Sequence, residues 1–213
     1  MDEKKVCAVV LAAGTSSRMG SLKQLLPLDG QQQLGSVIKK VLHNGFTDVY
    51  TVLGHKAEQI KAVLDIPDEN HHWLINENYR DGQSTSVKTA LQHIMEEYNH
   101  VMIFLGDMPF IKDETVETVK NSGRAHCIGT DPFIVRPVYR GMAGHPVFIG
   151  NINQDIVAQL DGDSGFKSVK KVFAFSELIE TDDAGVNFDV DTEEDYQVAL
   201  KRAGEHPILK KLK

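Results

Sequence analysis

The segment Val6-Cys7-Ala8-Val9-Val10-Leu11-Ala12-Ala13 is apolar at every position and stops at Gly14. A strand with one wet face alternates apolar and polar side chains, whereas an unbroken run belongs to a strand covered on both faces. Such strands sit inside parallel sheets flanked by helices. The rest of the chain repeats the pattern. Leu34, Val37, Ile38, Val41 and Leu42 recur at helical spacing, and Asn44-Gly45 reads as a helix end. Val49 to Leu53 reads as a strand, His55 to Leu64 as a helix ended by Pro67, and His72 to Ile75 as a short strand. A helix from about Ser84 to Tyr98 leads to a strand over Val101 to Leu105 that Gly106-Asp107-Met108-Pro109 breaks. Lys112 to Asn121 is expected to be helical. Ala125 to Ile128, Phe133 to Val138, Pro146 to Ile149 and Lys171 to Phe175 are expected as strands, and Glu193 to Arg202 as the last helix. Alternating strands and helices imply βαβ units, so the expected fold class is α/β, a three-layer sandwich on a mostly parallel sheet. The 213 residues suit one domain, 1–213, without repeat or linker.

Composition narrows the function. Apolar residues make up 41% and charged residues 25%, as in ordinary soluble domains. A net charge of −7 argues against nonspecific binding to nucleic acid or anionic membrane. Anionic ligands would therefore need local cations and a metal. Cys7 and Cys127 lie in apolar runs without metal-type spacing, as expected of buried thiols in a reducing compartment. The opening Met-Asp-Glu-Lys-Lys and its short apolar run lack a signal-peptide pattern. A cytoplasmic location is expected.

The loop after the first strand, Ala12-Ala13-Gly14-Thr15-Ser16-Ser17-Arg18-Met19-Gly20, lies at the sheet edge where open α/β folds bind ligands. Small residues let backbone N–H groups approach phosphate oxygens, and Arg18 and Lys23 add fixed positive charge. The loop lacks the Gly-Lys-Ser/Thr of a Walker loop and the three glycines of a dinucleotide fingerprint. An ordinary tight turn would look similar on glycine content alone.

The longer string decides. Leu11-Ala12-Ala13-Gly14, Arg18-Met19-Gly20 and Lys23-Gln24-Leu25-Leu26-Pro27-Leu28 resemble the signature loop of MobA-like nucleotidyltransferases that act on molybdopterin, nearest the molybdenum cofactor cytidylyltransferase group, which includes a purine-catabolism protein. Asn76-Glu77-Asn78-Tyr79 with Gly82, Ser84 and Ser86 resembles the family's second loop, and Gly106-Asp107-Met108-Pro109 its metal-binding turn. Gly141 with Gly144-His145-Pro146-Val147 resembles the acceptor-side loop, Gly162-Asp163 with Gly165 a following turn, and Asp189-Val190-Asp191-Thr192 the closing motif. These blocks keep the family's order from residue 6 to 196. Two departures stand out: Phe166-Lys167 where the family usually has a small residue and Arg, and Glu193 where Pro is common.

The resemblance implies the nucleotide-diphospho-sugar transferase fold and a magnesium-dependent transfer of CMP from CTP to a molybdopterin-type phosphate acceptor, releasing pyrophosphate. It implies nucleotide contacts from Leu11, Ala12, Ala13, Gly14, Arg18, Lys23, Asn76, Ser84 and Asp107, with Lys23, Arg18 and Asp107 catalytic. Asp107, Asp189 and Asp191 would hold Mg2+, and Gly144, His145 and Asp163 would face the acceptor. Asp189 and Asp191 are alternate residues, able to share a face of an extended segment. Capping of the last helix competes for Asp191, and a structural role competes for His145. A phosphate nucleophile is already ionised near neutral pH, so no Ser-His-Asp arrangement is needed. Ala13 favours the cytidylyl over the guanylyl branch, which has a second Gly there. A molybdenum hydroxylase is an expected downstream partner. Two further possibilities are a cytidylyltransferase for a sugar or polyol phosphate and a non-catalytic cofactor carrier.

Overall fold

The computed structural model describes residues 5–16, 19–66, 69–161 and 171–205. Its main sheet runs in the order β10 (Phe175–Glu180), β7 (Phe133–Tyr139), β9 (Val147–Gly150), β6 (His100–Leu105), β1 (Val6–Leu11), β4 (Val49–Leu53) and β5 (His71–Ile75), with the two-residue β8 (Met142–Ala143) beside β7; β2 (Pro27–Leu28) and β3 (Gln31–Gln32) pair separately. Every residue of β1 is buried, as its unbroken apolar run predicts. β5, β4, β1 and β6 are mutually parallel. β9 runs antiparallel to both β6 and β7, so the sheet is mixed but mostly parallel. The chain leaves β1 toward β4 on one side and returns to β6 on the other. The crevice at the carboxyl ends of β1 and β6 is therefore a topological switch point, the usual ligand site of such sheets.

Two apolar layers fill the faces. Leu34, Val37, Ile38 and Val41 of α1 (Gln33–His43) join the layer that holds Ala8 and Val10. Val87, Ala90, Leu91 and Ile94 of α3 (Gln83–Ile94) join the one that holds Cys7 and Val9. Burial of each such side chain stabilises by roughly 1.5–3 kcal/mol before chain entropy is counted. α1 ends as its sequence predicts: Asn44 donates to Lys40 O at 2.9 Å, and Gly45 takes φ +68°.

α2 (Ala57–Val63) and α4 (Asp113–Ala125) complete the first layer, α5 (Gln154–Gln159) the second, and α6 (Glu193–Glu205) lies at the end. Asp183, almost wholly buried, links α4 to the segment before α6. Its carboxylate accepts from Lys112 N at 2.7 Å, Thr115 Oγ1 at 2.8 Å and Gly185 N at 2.8 Å. The fixed 3-10 turn over 184–187 then delivers the residues that follow it to the sheet edge.

Two expected strands are displaced. Ala125 to Ile128 is no strand: α4 runs to Ala125, and His126 N then bonds Gly123 O at 3.1 Å. Cys127 alone of this apolar group is buried, while Ile128 is 90% exposed. The strand expected at Lys171 to Phe175 begins at Phe175 and runs to Glu180, where mixed polar and apolar residues suit a sheet edge. No helix among the described residues is long and apolar enough to cross a membrane.

Candidate active site

A cavity of about 400 Å3 opens at the switch point. Leu11 to Thr15 form one wall, Leu105 to Asp107 another, and Lys23 and Gln24 the return of the loop. The loop is built by side chains the sequence hides. Gln24 is 3% exposed; its Nε2 donates to Ala12 O at 3.1 Å and to Gly14 O at 3.0 Å. Ser16 Oγ donates to Gln24 Oε1 at 3.1 Å and accepts from Lys23 N at 3.1 Å. The arm that carries Gly14 is thus tied to the arm that carries Lys23. A side chain at Gly106 would meet Leu34 and Ala12 within 3 Å, so glycine there lets β6 end against the loop. At Gly14 nothing lies within 4 Å of the equivalent position, which leaves the backbone open to a ligand.

Lys23 is the centre of charge. Its Nζ donates to Asp107 Oδ2 at 2.6 Å and to Asp191 Oδ1 at 2.5 Å. Burial works against the ammonium, but the two carboxylates outweigh it, so its pKa lies above the ordinary lysine value. Val190 N bonds Asp107 O at 3.0 Å, which fixes the closing segment against the metal-type turn. Thr192 Oγ1 and N donate to Asp195 Oδ2 at 2.7 and 2.9 Å, and Asp195 N donates back to Thr192 Oγ1 at 3.2 Å. This reciprocal capping box starts α6 at Thr192. Asp191 is therefore not the cap, and its carboxylate faces Lys23.

Asp189 is exposed, yet its carboxyl pKa is raised, first by partial burial, then by the nearby charges of Asp107 and Asp191. Three carboxylates thus gather around one ammonium. Asp107 Oδ1 is buried and has no hydrogen-bond partner among the described residues. Hard oxygen donors with one orphaned atom fit a divalent cation such as Mg2+. Among the described residues, no three His, Cys, Asp or Glu side chains form a ready-made cage.

The remaining expected residues are placed unevenly. Leu11, Ala12, Ala13, Gly14, Lys23 and Asp107 all line the cavity. Asn76 and Ser84 do not. Asn76 is 1% exposed and acts as a strut, donating to Thr85 Oγ1 and Ser86 Oγ at 2.9 Å each and accepting from Asn78 N at 3.0 Å. Ser84 is 2% exposed. The wall that they support is made of Tyr79, Arg80, Gly82, Gln83 and Ser86. A motif marks a loop, but burial decides which of its residues face inward; of these five, Tyr79, Gly82 and Ser86 had stood in the quoted pattern without a role. Gln24 had a signal, a polar residue beside Leu25-Leu26 that the core covers. Arg18 and Asp163 lie outside the described residues.

Gly144 and His145 sit beyond β8. Gly144 is packed against the turn before the closing segment: a Cβ there would lie 2.2 Å from Val186 O. His145 N donates to Val186 O at 2.9 Å. Burial, helped by Arg136, pushes the His145 imidazole down to about 4, and its buried Nδ1 has no partner among the described residues. The ring is neutral at neutral pH and lines no part of the cavity, so the structural role weighed for it is the one the geometry favours.

A switch-point cavity walled by an open-backbone loop, with a lysine between two aspartates, defines a nucleotide-binding α/β transferase of the nucleotide-diphospho-sugar transferase fold. Residues 8–179 match the family model of the MobA-like NTP transferase domain, and the chain belongs to that family. It is 24% identical over 199 residues to the molybdenum cofactor cytidylyltransferase of Escherichia coli, covering 91% of this chain and 95% of that one. It is 30% identical over 179 residues to the bifunctional protein GlmU of Neisseria meningitidis, across 81% of this chain but only 37% of that protein's length. Another GlmU relative, from Marinobacter nauticus, matches 52% of this chain and 24% of its own length, so the chain spans well under half of these curated relatives. Among solved structures, the manganese complex of Rv0371C from Mycobacterium tuberculosis superposes with a TM-score of 0.72 at 25% identity, covering 92% of this chain and 98% of that one.

Proposed function

We propose that this chain, read as one domain, transfers CMP from CTP to the terminal phosphate of a molybdopterin-type acceptor and releases pyrophosphate, and that it does so with Mg2+ in the cytoplasm. The observation that carries this reading is the meeting of Lys23, Asp107 and Asp191 beside the Gly14 loop. The end-to-end similarity to a molybdenum cofactor cytidylyltransferase supports the acceptor, and retention of the lysine and carboxylates speaks against a pure carrier. The manganese complex of a structural relative supports a divalent ion. Asp107 and Asp191, with Asp189 nearby, would hold that ion, whose contribution is to neutralise phosphate charge.

The residues divide the work. Backbone N–H groups of the Gly14 loop bind phosphate oxygens, with Arg18 assigned to the outgoing pyrophosphate. Gln24 keeps the loop in shape for that task. Lys23 leaves its carboxylates to meet the negative charge that grows on the α-phosphate, which is electrostatic stabilisation of the transition state. The acceptor phosphate attacks without a general base, since its second pKa is about 6. Ala13, which contributes its carbonyl to His55 N at 3.3 Å, narrows the loop toward the smaller pyrimidine. The product would supply a molybdenum hydroxylase such as one of purine catabolism.

Pyrophosphate release, measured with CTP or GTP, with and without molybdopterin, tests this. The expected result is release that needs both CTP and the acceptor. Equal turnover with GTP would overturn the base assignment. Turnover with a sugar phosphate in place of molybdopterin would overturn the acceptor.

A further inference from the structure

Arg136 lies in the middle of β7, on the sheet face that also carries the cavity. Its neighbour two residues back, Ile134, belongs to the core layer that holds Leu11, Ile103 and Val147. β7 pairs with β9 at Val135 and Phe148, and β9 pairs with β6 at Val147 and Ile103. One step further along, Arg136 is level with Val147 and Ile103, two strand spacings or roughly 10 Å from β6. Asp107 stands just above the end of that strand. Arg136 therefore lies to the β7 side of that strand, beside Gly144, and is not itself part of the cavity's lining.

Its guanidinium is half-buried and, among the described residues, meets no counter-charge. Nε and Nη2 each donate to Gly144 O at 3.2 Å, and Nη2 reaches Ala143 O at 3.5 Å. Both partners are neutral carbonyls, and among the described residues no carboxylate pairs with it. Nη1 has no partner there at all. Burial alone lowers its pKa, with no acid opposing. The adjacent His145 is neutral and supplies no second charge. A desolvated guanidinium is costly unless an anion completes it, and its planar fork matches phosphate oxygens in two parallel bonds.

We infer that Arg136 binds a phosphate group at a subsite separate from the Gly14 loop, on the acceptor side of the cavity. This deepens the reading above and rests on it for which molecule brings the phosphate. Phosphate oxygens could come from the acceptor or from the triphosphate, so the test separates the two. Inorganic phosphate is titrated, by calorimetry, into the full chain already saturated with magnesium CTP, which fills the loop. Arg136→Gln should weaken phosphate binding about tenfold or more, the worth of one charge-assisted pair, and leave CTP affinity within about twofold. Arg136→Lys should fall between, keeping the charge and losing the fork. Equal phosphate affinity in Arg136→Gln and wild type overturns the subsite. A loss of CTP affinity as large as the loss of phosphate affinity assigns Arg136 to the triphosphate and also overturns it. If Arg136→Gln does not fold, the wild-type chain still decides. Phosphate bound at Arg136 shifts the ring resonances of neighbouring His145 in the CTP-saturated protein, and resonances that stay put overturn the inference. Phosphate binding at Arg136 without any CMP transfer would leave this site standing and remove the proposed reaction. Transfer with an unchanged acceptor KM in Arg136→Gln would do the reverse.

Discussion

Lys23 holds two carboxylates at once. On the reading that these carboxylates hold a divalent cation, the ammonium and the ion compete for them. Lys23→Ala should therefore bind Mn2+ alone more tightly, by about fivefold for a partly exposed pair worth roughly 1 kcal/mol. The same variant should lose about 100-fold or more in kcat, as when one preorganised stabilising group is removed, with a smaller change in CTP affinity. Paramagnetic titration and steady-state kinetics read the two effects separately. Unchanged Mn2+ affinity would mean the ion goes elsewhere, and a near-normal kcat would take Lys23 out of the chemistry. Asp107→Asn keeps the shape and one hydrogen-bond acceptor but removes the charge. It should abolish pyrophosphate release while the midpoint of thermal unfolding moves by only a few degrees, since Lys23 retains Asp191. Ordinary turnover in this variant would end the metal assignment.

At the scale of elements, the site depends on how two segments are stopped and started. β6 ends against the Gly14 loop because Gly106 allows close approach. α6 starts two residues after Asp191 because Thr192 and Asp195 cap each other. Thr192→Ala should cost about 1 kcal/mol of stability, typical for a lost N-cap. It should also loosen Asp191 and so lower activity by more than that loss of folded protein explains. Chemical unfolding and turnover measured on the same sample check this, and an activity drop no larger than the folded fraction predicts would separate the cap from the site. Strand and helix periods marked most of these elements. They misplaced Ala125 to Ile128, because short apolar runs do not reveal whether a helix has ended, and only packing exposed Ile128.

For the molecule as a whole, stability should change with acidity in a defined window. His145 protonates near 6.5 when free but near 4 when folded. Between these values the unfolded chain binds a proton that the folded chain refuses, so stability present above pH 6.5 is lost as pH falls toward 4. Urea unfolding at pH 7.5 and 5 should show this decline, and His145→Gln should flatten it. An equally steep decline in the variant would place the titrating group elsewhere. The residue types alone determined the layered architecture: an unbroken apolar strand can be satisfied only inside a parallel sheet, and Asp107, Lys23 and the late aspartates sat in motifs that already suggested phosphate chemistry. What only the tertiary structure decided was contact across long separations. Asp191 meets Lys23 from 168 positions away, Asn76 and Ser84 turn inward and leave Ser86 on the wall, and Arg136 settles on the carbonyl of Gly144. Periodicity reports which side of an element is apolar, but the direction of a polar side chain and the charge beside it depend on how the elements pack together.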